Sequence, residues 1–413
     1  WYTDCAMAAG DRNWGICGVS LRSPDVARQL NPQDGLYTLT ERRGDAAQTR
    51  VIGAIREVLY APDQAGAVVT RLADPACHIA SFTVTEKGYA RSPDDGLDLT
   101  AARSSFYPVL AQGLAERRAR GRAGLTLLPC DNLAENGKVL ARLMEQWLAA
   151  DMPDMVEWFR RECRVPSTMI DRIVPRTAPQ ALTALERHLC MRDAGAVFTE
   201  GFSQWVIEDD FAGPRPQWER PGVQLVNDVV PFETAKLRML NGAHSLLAYC
   251  GLEAGYTYVH EAVANPRLAA LAERLMRDEA IPTITAAPGQ DLAAYAGQLM
   301  QRFADPALMH RLDQIAMDGS QKIPQRWLDT AAVLTRRSLP CDAIAAGFAA
   351  WVRHLADGRC VDDPHGEELH AIAITGGARG IVDRCLGAGT GMTALWSGYQ
   401  HLAQTLLSAE RED

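Results

Sequence analysis

A change of periodicity near residue 230 constrains the fold of this chain more than any other feature. Upstream, the short apolar runs 14-WGICGVSL-21, 35-GLYTLTE-41, 51-VIGAIREVLY-60, 78-HIASFTVTEKGY-89 and 124-GLTLLPCDN-132 are bounded by Gly, Pro or Asp, as strands are. Helical patterns such as 134-AENGKVLARLMEQWLAA-150 lie between them. Strand alternating with helix implies an α/β sheet of at least partly parallel strands. Downstream the strands stop. Pro231 suits a first helical turn, apolar spacing of three and four continues to about Cys250, and Gly251 is placed to end that helix. Further helices are expected near 262–279, 290–304, 306–316, 324–337, 341–356 and 393–409. The Pro/Gly-rich connection 212-AGPRPQWERPG-222 separates the two regimes, so the expected domains are 1–218, α/β, and 219–413, mostly α-helical.

Composition excludes several classes of function. A net charge of −9 argues against a nucleic-acid partner, which needs a basic face. The longest apolar runs, such as 342-DAIAAGFAAWV-352, are too short for a bilayer, and no basic-start signal peptide is visible, so a cytoplasmic protein without a membrane partner is expected. The ten cysteines are scattered, with no CxxC and no Cys/His cluster, and read as reduced thiols rather than metal ligands. No bound metal is expected, and oligomeric state has no signature in the sequence.

The 42 basic residues include only four lysines, Lys87, Lys138, Lys236 and Lys322. An ammonium can lose its proton where a guanidinium cannot, so a chain that otherwise uses Arg draws attention to these four positions. On an α-helix Glu233 and Lys236 are one turn apart, as are Asn241 and His244, while Lys236 and His244 stand about 80° apart round the axis and can border one pocket. Such a set suits alcohol oxidation or carbonyl reduction without a metal: a neutral Lys takes the hydroxyl proton, Asn and His hold the developing oxyanion, hydride passes to a nicotinamide, and Glu relays the proton. Spacing alone favours a helix-surface ion pair and a core histidine, since such pairs are common on any helix.

Three other stretches carry candidate chemistry. In 124-GLTLLPCDNLAENGKVL-140 a buried strand ends in Cys-Asp-Asn, and ligands of open α/β sheets sit beyond the carboxyl ends of strands, which marks Asp131 and Asn132. The same residues could instead cap the next helix, with Asn136-Gly137 as a local kink. Two prolines enclose Asp171 and Arg172 in 165-VPSTMIDRIVP-175, and 316-AMDGSQKIPQR-326 carries Lys322 and Arg326, cations that could meet an acidic substrate.

Taken together, PCDNLAENG at 129–137, PSTMIDRIVP at 166–175, QWVIED at 204–209, KLRMLNGAHSLLAY at 236–249 and MDGSQKIP at 317–324 resemble, in order, the polyol-specific long-chain dehydrogenases, the family of mannitol 2-dehydrogenase and fructuronate (mannonate) reductase. GVSLRSPD at 18–25, QDGLYTLTE at 33–41 and TVTEKGY at 83–89 extend the likeness along nearly the whole chain. The resemblance implies a Rossmann-like domain followed by a helical one. It also implies a zinc-independent NAD enzyme acting on a small-molecule sugar acid or polyol, with Lys236 as general base, Glu233 as proton relay, and Asn241, His244 and Asn132 orienting the substrate carbonyl. Asp25 matches the acidic position associated with a preference for NAD, and Asp131 is the other expected cofactor contact. Asp171, Arg172, Gln314, Lys322 and Arg326 are the expected substrate contacts. Mannitol-oxidising members tend to carry Arg at the place of Gln314, and the 316–326 loop is more similar to fructuronate reductases. Those members are the expected kin, with mannitol oxidation or a catalytically silent sugar-acid or nucleotide binder as alternatives. Family members begin with a strand and a GxGxFxRxH phosphate turn that this sequence lacks, so a chain beginning at Trp1 is expected to bind nucleotide weakly.

Overall fold

The computed structural model describes every residue except 45, 93–94, 176, 360–361, 388–393 and 408–413, and the side chain of Glu86. The chain forms two compact units, Trp1–Val230 and Pro231–Asp413. This division falls later than the expected 218/219, because the last strand of the first unit pairs back onto its sheet.

The first unit alternates as expected. Its strands are β1 (Ile16–Ser20), β2 (Tyr37–Arg43), β3 (Ala46–Ile52), β4 (Ile55–Tyr60), β5 (Ile79–Phe82), β6 (Thr126–Pro129), β7 (Thr168–Asp171), β8 (Val197–Glu200), β9 (Gln204–Glu208) and β10 (Gln224–Val226). Its helices are α1 (Tyr2–Ala8), α2 (Asp25–Leu30), α3 (Ala61–Ala73), α4 (Thr85–Gly88), α5 (Leu99–Ala102), α6 (Tyr107–Ala119), α7 (Asn136–Asp151), α8 (Val156–Glu162) and α9 (Pro179–Leu189). The pairs β1/β4, β5/β6, β2/β8 and β9/β10 are parallel, while β2/β3 and β7/β9 are antiparallel. Two expected strands are divided. The 51–60 run breaks after Ile52, where the Gly53 amide donates to Asp4 Oδ1 (2.8 Å), and the 78–89 run becomes β5 followed by α4.

The core of this unit is built where α6 and α7 cover β6, with Leu110, Leu114, Leu127, Leu140, Met144 and Trp147 buried together. Arg117 is buried at the end of α6 and donates to the carbonyls of Leu72, Asp74, Cys77, Ala123 and Gly124, which pins the segment entering β5. Asn136-Gly137 is not a kink. Asn136 is wholly buried at the start of α7, donates through Nδ2 to the carbonyls of Asp131 (3.0 Å) and Thr168 (2.9 Å), and accepts from Thr168 N at 2.9 Å. That knot draws α7 onto the segment before β7.

The second unit is helical. It comprises α10 (Val230–Ala235), α11 (Gly242–Glu253), α12 (Val259–Ala264), α13 (Pro266–Arg274), α14 (Leu292–Phe303), α15 (Leu312–Ala316), α16 (Gly319–Ile323), α17 (Asp329–Arg336), α18 (Asp342–Ala356), α19 (Gly366–Leu386) and α20 (Ala403–Leu407). Three π-helical segments, Lys236–Asn241, Leu275–Ala280 and Pro324–Leu328, interrupt the α-helical runs. Gly251 does not end its helix. A Cβ there would lie 2.8 Å from Leu312 Cδ1 and 3.0 Å from Ala262 Cβ, so the glycine lets α11 meet α12 and α15, and the helix closes only at Gly255, with φ +84°. Helix α19 was not anticipated, because its buried positions Leu369 and Ala373 fall out of phase with Ala378, Ile381, Val382 and Cys385 across Gly377, whose backbone is non-helical. Among the described residues, no helix is long and apolar enough to cross a membrane.

A Cβ at Gly137 would stand 2.5 Å from both Ser167 N and Val165 O, which are backbone atoms unable to yield like a flexible side chain. Gly137→Ala should therefore lower the stability of the first unit by about 1–3 kcal/mol, the usual cost of overpacking. An unchanged denaturation midpoint would show that α7 is free to move off β7.

Candidate active site

The helix carrying Lys236 runs from α10 into α11 without a break, but the turn spanning Lys236–Asn241 is π-helical. A π-bulge takes up one extra residue, so a separation of eight acts as about seven of a regular helix, about 20° short of two full turns. The expected 80° offset between Lys236 and His244 was therefore too large, and the two lie nearly on one face. Packing explains why the turn widens here. Gly242, lacking a side chain, lets the third π segment approach so closely that a Cβ would lie 3.2 Å from Arg326 O, and Trp327 Nε1 donates to Gly242 O at 3.0 Å. The first π segment packs against both of the others. Arg238, on the same turn, points elsewhere and donates to Thr283 O (2.9 Å) and Oγ1 (2.8 Å).

Lys236 is half-buried, whereas Glu233, Asn241 and His244 are buried. Asn241 is 8% exposed, yet its Nδ2 has no hydrogen-bond partner among the described residues. A buried amide donor without an acceptor is costly unless a ligand supplies one. His244 packs against Phe303, with ring centroids 4.7 Å apart, and meets the ring of His310 edge-on at 5.1 Å. Burial first, then His310, Arg302 and Arg326, hold the His244 imidazole well below its ordinary pKa, so it is a neutral donor or acceptor and not a cation. Burial and then Arg302 depress His310 in the same way.

The loop cations divide by their surroundings. Arg326 Nη1 donates to Ser245 Oγ (2.7 Å) and to Asn241 O (3.5 Å), which brings it to the wall formed by Asn241 and His244. Lys322 Nζ donates to Met317 O (2.6 Å) and lies 3.8 Å from Asp318; burial and then Arg326 lower its pKa. Gln314 is exposed on α15, with its backbone amide bound to Asp313 Oδ1, and no contact ties its side chain to this group. The sequence reading missed Ser245, Arg302, Phe303 and His310. None stands at helical spacing from Lys236 that would single it out, because Arg302, Phe303 and His310 reach His244 across the fold.

In the first unit the expected residues have separate roles. Asn132 is exposed just beyond the carboxyl end of β6. Asp131 beside it is bonded within the unit: its carboxylate accepts from Val84 N (3.1 Å), Thr85 N (2.8 Å) and the Tyr89 hydroxyl (2.9 Å), and so shapes the loop after β5. It does not cap α7. Asp171 is the buried last residue of β7. Arg172 is also committed: it donates to Glu41 Oε1 (2.5 Å), Thr199 Oγ1 (3.0 Å) and Glu200 O (3.3 Å), with its guanidinium 4.6 Å from the Trp1 ring centroid. This internal pairing leaves it poorly suited to a substrate carboxylate. Asp25 opens α2 shortly after β1, with an exposed carboxylate that accepts from the Ser23 hydroxyl (2.5 Å) and lies 3.8 Å from Arg28. Among the described residues no group of three His, Cys, Asp or Glu could hold a metal ion.

Comparison with known proteins agrees with this layout. Residues 3–220 match the mannitol dehydrogenase Rossmann domain and residues 228–379 the mannitol dehydrogenase C-terminal domain. The chain is 38% identical to D-mannonate oxidoreductase of Escherichia coli, over 86% of this chain and 76% of that protein, and 36% identical to mannitol 2-dehydrogenase of Aspergillus terreus, over 89% and 78%. Among solved structures it is similar to Pseudomonas fluorescens mannitol 2-dehydrogenase in ternary complex with NAD and D-mannitol, with a TM-score of 0.83 and 32% identity over 99% of this chain and 87% of that one. Matching family domains cover both units, and the chain accordingly belongs to the mannitol dehydrogenase family of oxidoreductases.

Proposed function

We propose that the chain is an NAD-dependent oxidoreductase that interconverts the C2 ketone and secondary alcohol of a sugar acid of the fructuronate/mannonate type, with Lys236 as general base. The observation that carries this reading is the buried Asn241 Nδ2, without an acceptor among the described residues, beside a neutral His244 and one π-turn beyond the lysine. In the oxidative direction the Lys236 amine takes the proton of the C2 hydroxyl. The Asn241 amide and His244 imidazole steady the oxygen as negative charge gathers on it, and being preorganised they need no rearrangement to do so. Glu233, buried one turn before Lys236, is the group through which the proton is passed on. NAD, when bound, accepts the hydride. The exposed Asp25 carboxylate beyond β1 suits a ribose diol, and Asn132 stands where an α/β sheet meets its ligand. The similar proteins include both a D-mannonate oxidoreductase and mannitol 2-dehydrogenases at nearly equal identity. The choice of sugar acid over polyol rests on the cations Arg326 and Lys322 beside the candidate site.

Lys236→Ala should lower kcat by about two to four orders of magnitude, the usual worth of a general base, with little change in NADH affinity measured by fluorescence. Lys236→Arg should fail nearly as badly, since a guanidinium does not give up its proton. Substantial activity in the Arg variant would rule out proton abstraction at this position.

A neutral His244 has a signature of its own. With the folded pKa below that of the unfolded chain, His244 contributes stability that is full above about pH 6.5 and is lost as the solution is made more acid. The imidazole resonance of His244 in 13C-labelled protein should show no titration between about pH 6 and 8. A midpoint near 6.5 would contradict the electrostatic picture of the site.

Substrate class is tested by kcat/KM for D-mannonate against D-mannitol with NAD. The acid should be the better substrate, and equal or better turnover of mannitol would make the enzyme a polyol dehydrogenase.

A further inference from the structure

We propose that His310 is a positioning residue of this site, holding the His244 ring at a fixed rotation so that its nitrogen meets the substrate oxygen; this rests on the reading above, in which His244 acts on that oxygen. The last torsion of a histidine side chain has broad minima, so the chain itself does not fix where the ring nitrogens point. The usual restraint is a hydrogen bond from the second nitrogen to a carboxylate or carbonyl. His244 is 7% exposed, and neither of its ring nitrogens has a hydrogen-bond partner among the described residues. Ring packing takes over the task. Phe303, the buried last residue of α14, lies against the His244 ring at a tilt of 47° with centroids 4.7 Å apart, and His310 stands perpendicular to it, at 90° and 5.1 Å. A single ring partner leaves one direction of slip open, whereas two at different inclinations close both.

His310 can hold another ring because its own place, between α14 and α15, is fixed. It follows Met309, whose φ of +41° lies in the left-handed region that a non-glycine residue keeps only where its surroundings impose it. The His310 carbonyl accepts from Val259 N (3.0 Å), Leu312 N donates to Thr257 O (3.0 Å), and Arg311 between them forms an antiparallel bridge with Tyr258. The Nδ1 atom of His310 is buried with no hydrogen-bond partner among the described residues, and burial, followed by Arg302, keeps the imidazole uncharged. What His310 supplies to His244 is therefore the flat shape of its ring, and it acts on the reaction through His244.

The test is a double-mutant cycle of wild type, His310→Ala, His244→Asn and the double variant, assayed with saturating NAD and whichever of D-mannonate and D-mannitol is turned over faster. His310→Ala should lower kcat by about 10- to 100-fold, the scale of a misplacement near 1 Å, with NADH affinity by fluorescence unchanged. In the His244→Asn background the same substitution should change kcat by less than about threefold, because nothing is left for His310 to position. His310→Phe, which returns a ring without nitrogens, should recover most of the lost kcat. Equal losses from His310→Ala in both backgrounds would show a merely structural residue and overturn the proposal. So would an unaltered kcat in His310→Ala, or a His310→Phe variant as poor as His310→Ala. If the denaturation midpoint shows that His310→Ala does not fold, His310→Leu, which fills the space without a flat ring, replaces it in the cycle with the same expected outcomes. A His244→Asn variant as active as wild type overturns the reading of the site itself. That result is distinct from activity that needs His244 but is indifferent to His310, which refutes the positioning role alone.

Discussion

The hydrogen bond from Trp327 Nε1 to Gly242 O is the contact on which the architecture of the second unit depends. It forms because residue 242 has no side chain, which lets the Pro324–Leu328 turn come close enough for its backbone to touch the helix that carries Lys236. Both helices meet at π-helical turns, and the third such turn, Leu275–Ala280, packs against the first. Wide turns are poor in isolation and persist where packing repays them. Here the surroundings do so: Trp327 is wholly buried, and the carboxylate of Glu279, also buried, accepts from Ala343 N (2.6 Å) and Ile344 N (2.9 Å) and thereby caps α18. Removing the extra residue from any of these turns would rotate every side chain beyond it.

That rotation is what matters for chemistry. In a regular helix Lys236 would be skewed from His244 and turned well away from Asn241. The widened turn brings amine, amide and imidazole onto one wall, and burial, followed by His310, Arg302 and Arg326, keeps the imidazole neutral. A neutral imidazole and an amide can stabilise negative charge by donation.

The first unit shows the opposite use of polar groups. Asp131 and Arg172 look like ligands in the sequence because they are charged side chains at strand ends, yet each is bonded to partners of the same unit, as are the buried Asn136 and Arg117. They hold loops in place, so that Asn132, exposed beside Asp131, projects from a fixed frame. A side chain that is chemically able to bind a ligand is not thereby free to do so.

From the sequence alone the change from alternating strands and helices to helices only was legible, because strand and helix periods differ and Gly, Pro and Asp mark their ends. So was the membership of Lys236, Asn241 and His244 in one helical segment, and the ordered motifs carried the family. The π-turn was not legible, since no residue pattern in 236-KLRMLN-241 requires it; it arises from helices packing at Gly242. Nor was the role of Gly251, which reads as a helix end by local propensity but is a contact with Leu312 and Ala262, far away in the chain or on another helix. The same holds for the partners of Asp131 and Arg172 within the first unit and for the contact of His310 with His244. Local chemistry is written residue by residue, whereas the partners that satisfy, neutralise or orient each group come from distant parts of the chain, and only tertiary packing chose them.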